Sequence, residues 1–125
     1  MTWFRGVVVL VLVMCVRRVT AVCTPSNNAK LKSAVNACLH ESPDGNCVNF
    51  AAAGSNYGNG CGSGGSGVNG PISDWNVSGV GSLHYVFYNK GSFNADLSKW
   101  NVSAATNTER MFYNAQMFNG DVSKW

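Results

Sequence analysis

The sequence predicts an α/β repeat: a short solenoid segment behind an N-terminal helical, disulfide-stapled cap. Three observations predict it. Trp75, Trp100 and Trp125 recur at intervals of 25 residues. Aligned without gaps, Asn76–Trp100 and Asn101–Trp125 are identical at 12 of 25 positions. Ahead of them lies one run at helical period, with cysteines on and around it. At 125 residues the chain has room for one ordinary domain. Its charged fraction, 12%, is low, and 14 glycines require substantial loop.

The first element is an export signal. Arg5 precedes the apolar run Gly6 to Val16, whose eleven residues suit a signal-peptide core and fall short of the roughly 20 that a spanning helix needs. Val19, Thr20 and Ala21 supply small residues for cleavage after Ala21, so residues 1–21 read as a signal peptide. Arg17 and Arg18 beside the apolar run keep an uncleaved membrane anchor open as the alternative. Beyond the signal, six basic residues (Lys30, Lys32, Lys90, Lys99, Arg110, Lys124) face six acidic ones (Glu41, Asp44, Asp74, Asp96, Glu109, Asp121). A neutral remainder with no basic cluster argues against nucleic acid as a partner.

Cysteine usage fits an oxidising compartment. Cys15 lies within the signal. Cys23, Cys38, Cys47 and Cys61 remain, an even set in a short exported chain, and are disulfide candidates in any of three pairings. No C-x-x-C pair exists to start a zinc site, so no metal is expected.

The cap spans residues 22–50. Leu31, Ala34, Val35, Cys38 and Leu39 stand at i, i+3, i+4, i+7 and i+8, one apolar helical face. Ser26 or Asn27 caps its start, and Pro43-Asp44-Gly45 forms a turn after its end. Residues 51–70 hold too few apolar side chains for a core and read as a Gly/Ser-rich loop. Gly60, Gly62 and Gly65 within it match G-x-G-x-x-G. Without a hydrophobic strand before and a helix after, they make no dinucleotide site.

Residues 71–125 are the repeats: the end of one unit, then two full ones. A period of 25 lies in the leucine-rich-repeat window. Each turn is expected to contain an extended piece around Asp96–Val102 and a helical piece around Glu109–Ala115. The expected repeat core is Ile72, Trp75, Val77, Phe87, Phe93, Asn94, Leu97, Trp100, Val102, Phe112, Phe118, Asn119, Val122 and Trp125. Asn94 and Asn119 suit an inward asparagine ladder. Asp96 and Asp121 suit loop capping rather than a calcium ladder, which needs denser carboxylates. Phe112, Phe118 and Trp125 form an open apolar edge on the last turn, so the chain is expected to be the front of a longer repeat protein.

The run Phe93-Asn94-Ala95-Asp96-Leu97-Ser98-Lys99-Trp100-Asn101-Val102-Ser103, then Met111-Phe112-Tyr113-Asn114-Ala115, then Phe118-Asn119-Gly120-Asp121-Val122-Ser123-Lys124-Trp125, resembles the BspA-like leucine-rich-repeat surface proteins. Their repeat was first noted in mycoplasma lipoproteins of unknown function. The resemblance covers Ile72 to Trp125. It implies a solenoid at or outside the cell surface, adhesive in some members, and does not imply an enzyme.

Nothing in the sequence assembles a catalytic set. His40 and His84 are the only histidines, and no motif places a nucleophile beside them. No cofactor is expected. Tyr85, Tyr88 and Tyr113 are candidates for a binding face, with a protein or glycan at the cell surface as partner. The alternative is a purely structural cap with no binding role of its own. Asn76-Val77-Ser78 and Asn101-Val102-Ser103 are glycosylation sequons at the same repeat position.

Overall fold

The computed structural model describes residues 23–47 and 70–125. The expected signal, Cys15, Cys61 and the glycine motif lie outside them.

Helix α1 spans Asn28–Glu41. Asn27 is its N-cap: extended backbone turns its side-chain oxygen toward the Lys30 N–H, which donates at 3.0 Å. The helix buries Leu31, Ala34, Val35 and Cys38 on one face. It ends where the Ser42 N–H returns to the Cys38 carbonyl, and the Ser42–Gly45 turn follows. Gly45 is required there. Its φ is +94°, and a Cβ would lie 2.9 Å from the Phe93 ring. Cys38, on the buried face, is disulfide-bonded to Cys47 nine residues on. Cys23, fully buried, is also disulfide-bonded. This staple draws the turn onto the repeats: Asp44 O accepts from Asn94 N–H, and Gly45 O from Ile72 N–H.

The expected α/β repeat is not what the chain forms. Among the described residues α1 is the sole α-helix, Ile72–Asp74 is a single 3-10 turn, and no strand or sheet is present. Among the described residues the regular strand-type pairing is one parallel bridge, Ser82 with Asn107. The chain is therefore not a leucine-rich-repeat-like α/β solenoid. Asp96–Val102 forms tight turns rather than a strand. Glu109–Ala115 forms consecutive turns rather than a helix.

Backbone hydrogen bonding explains why. Leu83, Tyr85, Phe87 and Asn89 donate to the carbonyls of Asn107, Glu109, Met111 and Tyr113 in the following turn, at 2.7–3.2 Å. The intervening Val86, Tyr88 and Lys90 donate back three residues within their own turn. A helix would send every N–H backward, and a strand would send none. Alternation satisfies both sets, and it requires left-handed backbone at alternate sites. Tyr85 and Asn89 have φ of 59° and 56°, and their repeat counterparts Arg110 and Asn114 have 51° and 56°. Such φ is uncommon outside glycine, and its recurrence at the same repeat positions marks it as part of the architecture.

Side chains stack in the same register. Phe87 lies 5.4 Å from Phe112, Phe93 5.6 Å from Phe118 and Trp100 6.4 Å from Trp125, ring centroid to centroid, with planes nearly parallel. Within a turn Phe87 stacks on Phe93 and Phe112 on Phe118. The indole N–H of Trp100 donates to the Ile72 carbonyl at 2.9 Å. Ile72, Trp75, Val77, Phe87, Phe93, Leu97 and Trp100 are buried. Val102, Phe112 and Phe118 are half-buried, and Val122 and Trp125 are exposed. The inward asparagine ladder is not formed. Asn94 and Asn119 are exposed, and Asn94 Oδ1 accepts the Asn119 N–H at 2.9 Å along the outside of the stack.

The two ends of the stack differ. At the front, α1 covers the first turn, and the Asn28 amide donates to the carbonyls of Ser82 and His84 at 2.9 and 3.1 Å. These are the counterparts of Asn107 and Glu109, which accept from a preceding turn. Asn28 thus replaces two of the donors that a preceding turn would offer.

Candidate functional site

Tyr85, Tyr88 and Tyr113 come together on one side of the stack, on the outer rim of the alternating turns. Tyr88 stacks on Tyr113 at 5.2 Å with planes 11° apart, and Tyr85 lies 4.8 Å from Tyr88. His84 packs edge-on to Tyr85 at 4.0 Å. The tyrosines are set on turns rather than on the helical piece the sequence suggested, and the alternation described above fixes where each ring projects. Tyr113 is the most open of the three, 57% exposed.

Polar groups border the rings. The Arg110 guanidinium lies over the Tyr85 ring and donates to its hydroxyl. The Asn114 amide donates to Asn89 Oδ1 at 3.1 Å, one turn apart, and accepts from the Gln116 amide. His84 Nε2 is 3.7 Å from the Glu109 carboxylate. Arg110, Asn89 and Asn114 were not singled out in the sequence. The signal was there for the asparagines, which are identical at matching repeat positions. It was absent for Arg110, whose counterpart is Tyr85.

The remaining sequence candidates are elsewhere. Asn76 and Asn101 are exposed, and each side-chain oxygen accepts the N–H of the serine two residues on, Ser78 or Ser103, at 3.1 Å. Asp96 and Asp121 make the same turn with Ser98 and Ser123. Those N–H and hydroxyl donors hold both carboxyls below their ordinary value of 3.8. Lys99 reaches back one turn to Asp74 at 2.9 Å, which raises its pKa, but both groups are exposed and the pair adds little stability. No group of three or more potential metal ligands occurs among the described residues, and none of their helices is long and apolar enough to cross a membrane.

Stacked 25-residue turns behind a disulfide-linked helical cap place the chain among repeat proteins. Residues 63–125, half of its length, match the family described as "Mycoplasma protein of unknown function, DUF285", and the chain belongs to that family. No curated protein and no solved structure matches it.

Proposed function

We propose that this chain is a non-enzymatic binding module of the BspA-like surface-protein type, exported or held at the cell surface, and that its tyrosine face docks a partner protein. The observation that carries the reading is the pre-ordered cluster of Tyr85, Tyr88, Tyr113 and Arg110 on an otherwise polar rim. Tyrosine and arginine dominate protein-interface hot spots, and rings already locked by stacking lose little entropy on binding. Tyr88 stacks face to face on Tyr113 and Tyr85 tilts against Tyr88, so part of the ring surface is already covered, which favours protein contacts over sugar stacking. The Cys38–Cys47 disulfide supports an oxidising, exported location.

The test is binding of the purified full chain to arrayed extracellular proteins and glycans. Protein binding lost in Tyr113→Ser and Arg110→Ser, with unchanged unfolding midpoints, supports the reading. Binding confined to glycans moves it to the other ligand class. Binding indifferent to both substitutions overturns the assignment of this face.

A further inference from the structure

Two exposed asparagines carry a group that the fold does not use. Asn76 and Asn101 occupy the same position in successive turns, and each starts an Asn-Val-Ser triplet. No other asparagine of the chain has a serine or threonine two residues on. Each accepts the N–H of its serine at 3.1 Å through Oδ1, and Asn76 Oδ1 also accepts the Ser78 hydroxyl at 2.7 Å. Neither amide nitrogen donates to a protein group among the described residues. The turn itself needs only the oxygen: Asp96 and Asp121 make it with Ser98 and Ser123 and have no amide nitrogen to offer. Both asparagines are exposed. Asn76 stays exposed although the second turn is stacked on the first, so this position faces outward whether or not a turn follows it.

We propose that Asn76 and Asn101 are carbohydrate acceptor sites, each taking an N-linked oligosaccharide on Nδ2 during export. The donor class is an oligosaccharide carried on a lipid pyrophosphate, which the transferase of the export pathway presents. The bond from Nδ2 to the anomeric carbon forms as the bond from that carbon to the pyrophosphate oxygen breaks. The lipid pyrophosphate leaves with the electron pair, and one amide proton passes to the transferase. The serine two residues on is the group the transferase reads, and at Asn76 the turn already sets that hydroxyl against the side-chain amide. Attachment at Nδ2 leaves Oδ1 in place, so the turn survives modification. The repeat then sets the sugars in a row along the stack, on residues separate from the tyrosine face. The inference rests on the exported location proposed above and not on that face.

The test expresses the chain in a eukaryotic secretory host, once in full with its own leader and once as residues 22–125 behind the host's signal. The recovered protein is mapped by peptide mass before and after N-glycosidase treatment in heavy-oxygen water, which turns an occupied asparagine into a labelled aspartate. The expected result is sugar at Asn76 and Asn101. Asn76→Asp and Asn101→Asp keep the turn oxygen and should each lose the sugar at their own position. Ser78→Ala should lose it at Asn76 alone, and Ser78→Thr should keep it. Sugar on the form with the host's signal, but not on the form with its own leader, supports the acceptor sites and counts against the export reading, so the two fail separately. Unmodified Asn76 and Asn101 behind the host's signal, or glycosidase-sensitive sugar retained in the double variant Asn76→Asp, Asn101→Asp, overturns the proposal.

Discussion

The side-chain amide of Asn28 donates to the carbonyl of Ser82, 54 residues away, at 2.9 Å, and shares its second bond with His84. One side chain on the first turn of α1 thereby closes part of the edge at which stacking begins. Asn28→Ala leaves two half-buried carbonyls without that donor. The expected cost is about 1–3 kcal/mol. Urea unfolding should show a lower midpoint with an unchanged slope, and amide exchange should quicken first around Ser82–Tyr85. A loss confined to α1, with no change around Ser82, would contradict the closing role.

Stacking from one end gives the same residue type two different weights. Phe87 is fully buried between Phe93, Trp100 and Phe112, whereas Phe112, 25 residues on, is only half-buried against Phe87, Phe118 and Trp125. Phe87→Ala should cost about 3–5 kcal/mol, the range for emptying an aromatic site in a packed core. Phe112→Ala should cost less than half of that, because its site is open on one side and water already reaches it. Equal costs in parallel denaturant titrations would mean that the second turn is covered as fully as the first.

Much of this arrangement is legible in the sequence. The 25-residue register is visible because stacked turns must repeat whatever touches across them, so Phe87, Phe93 and Trp100 reappear as Phe112, Phe118 and Trp125. Helix α1 is visible because an apolar stripe at i, i+3 and i+4 has few other uses. The backbone of the turns is not legible. Glu109-Arg110-Met111 reads as helix-forming by composition, yet left-handed φ at Arg110 and Asn114 ends any helix there. What selects that conformation is a row of hydrogen bonds to residues 24 positions away, which no local periodicity records. The role of Asn28 is hidden for the same reason. A polar residue in a helix's first turn carries no mark of a partner 54 residues on.

The Cys38–Cys47 bond closes a loop of nine residues that carries the turn holding Gly45 against Phe93. Loop-closure entropy for that length stabilises by roughly 2.5 kcal/mol. Replacing both cysteines by serine should lower stability by about that amount and loosen α1 from the first turn. Peptide mapping of unreduced protein should recover Cys38 linked to Cys47. It should also recover Cys23 within a second disulfide. Free thiol at Cys23 in secreted protein would refute the second link.

The left-handed positions make a separate demand. At Asn89, φ is 56°, a conformation that asparagine tolerates and a β-branched side chain does not. Asn89→Val should cost at least about 1–2 kcal/mol, and Asn89→Gly less, since glycine relieves the backbone while losing the bond from Asn114. Thermal unfolding of the two variants side by side checks the order. A valine variant as stable as the glycine variant would show that residue 89 is not held left-handed in solution.

Acid should act through the aspartate turns. Asp96, Asp121 and Asp44 accept backbone N–H groups from Ser98, Ser123 and Asn46 at 2.8–2.9 Å, and that bond is the main cause of each depressed pKa. A carboxyl whose folded pKa lies below its unfolded value of 3.8 binds fewer protons in the folded state. Its contribution is therefore present above that value and is lost as pH falls through the depressed folded pKa. Stability should be level down to about 3.8 and decline below it. Asparagine already serves the same turn at Asn76 and Asn101, where an uncharged oxygen accepts from Ser78 and Ser103. The double variant Asp96→Asn, Asp121→Asn should then fold normally at neutral pH and show a shallower acid decline than the parent protein. An identical acid limb in both, followed by circular dichroism at fixed ionic strength, would assign the decline to other groups.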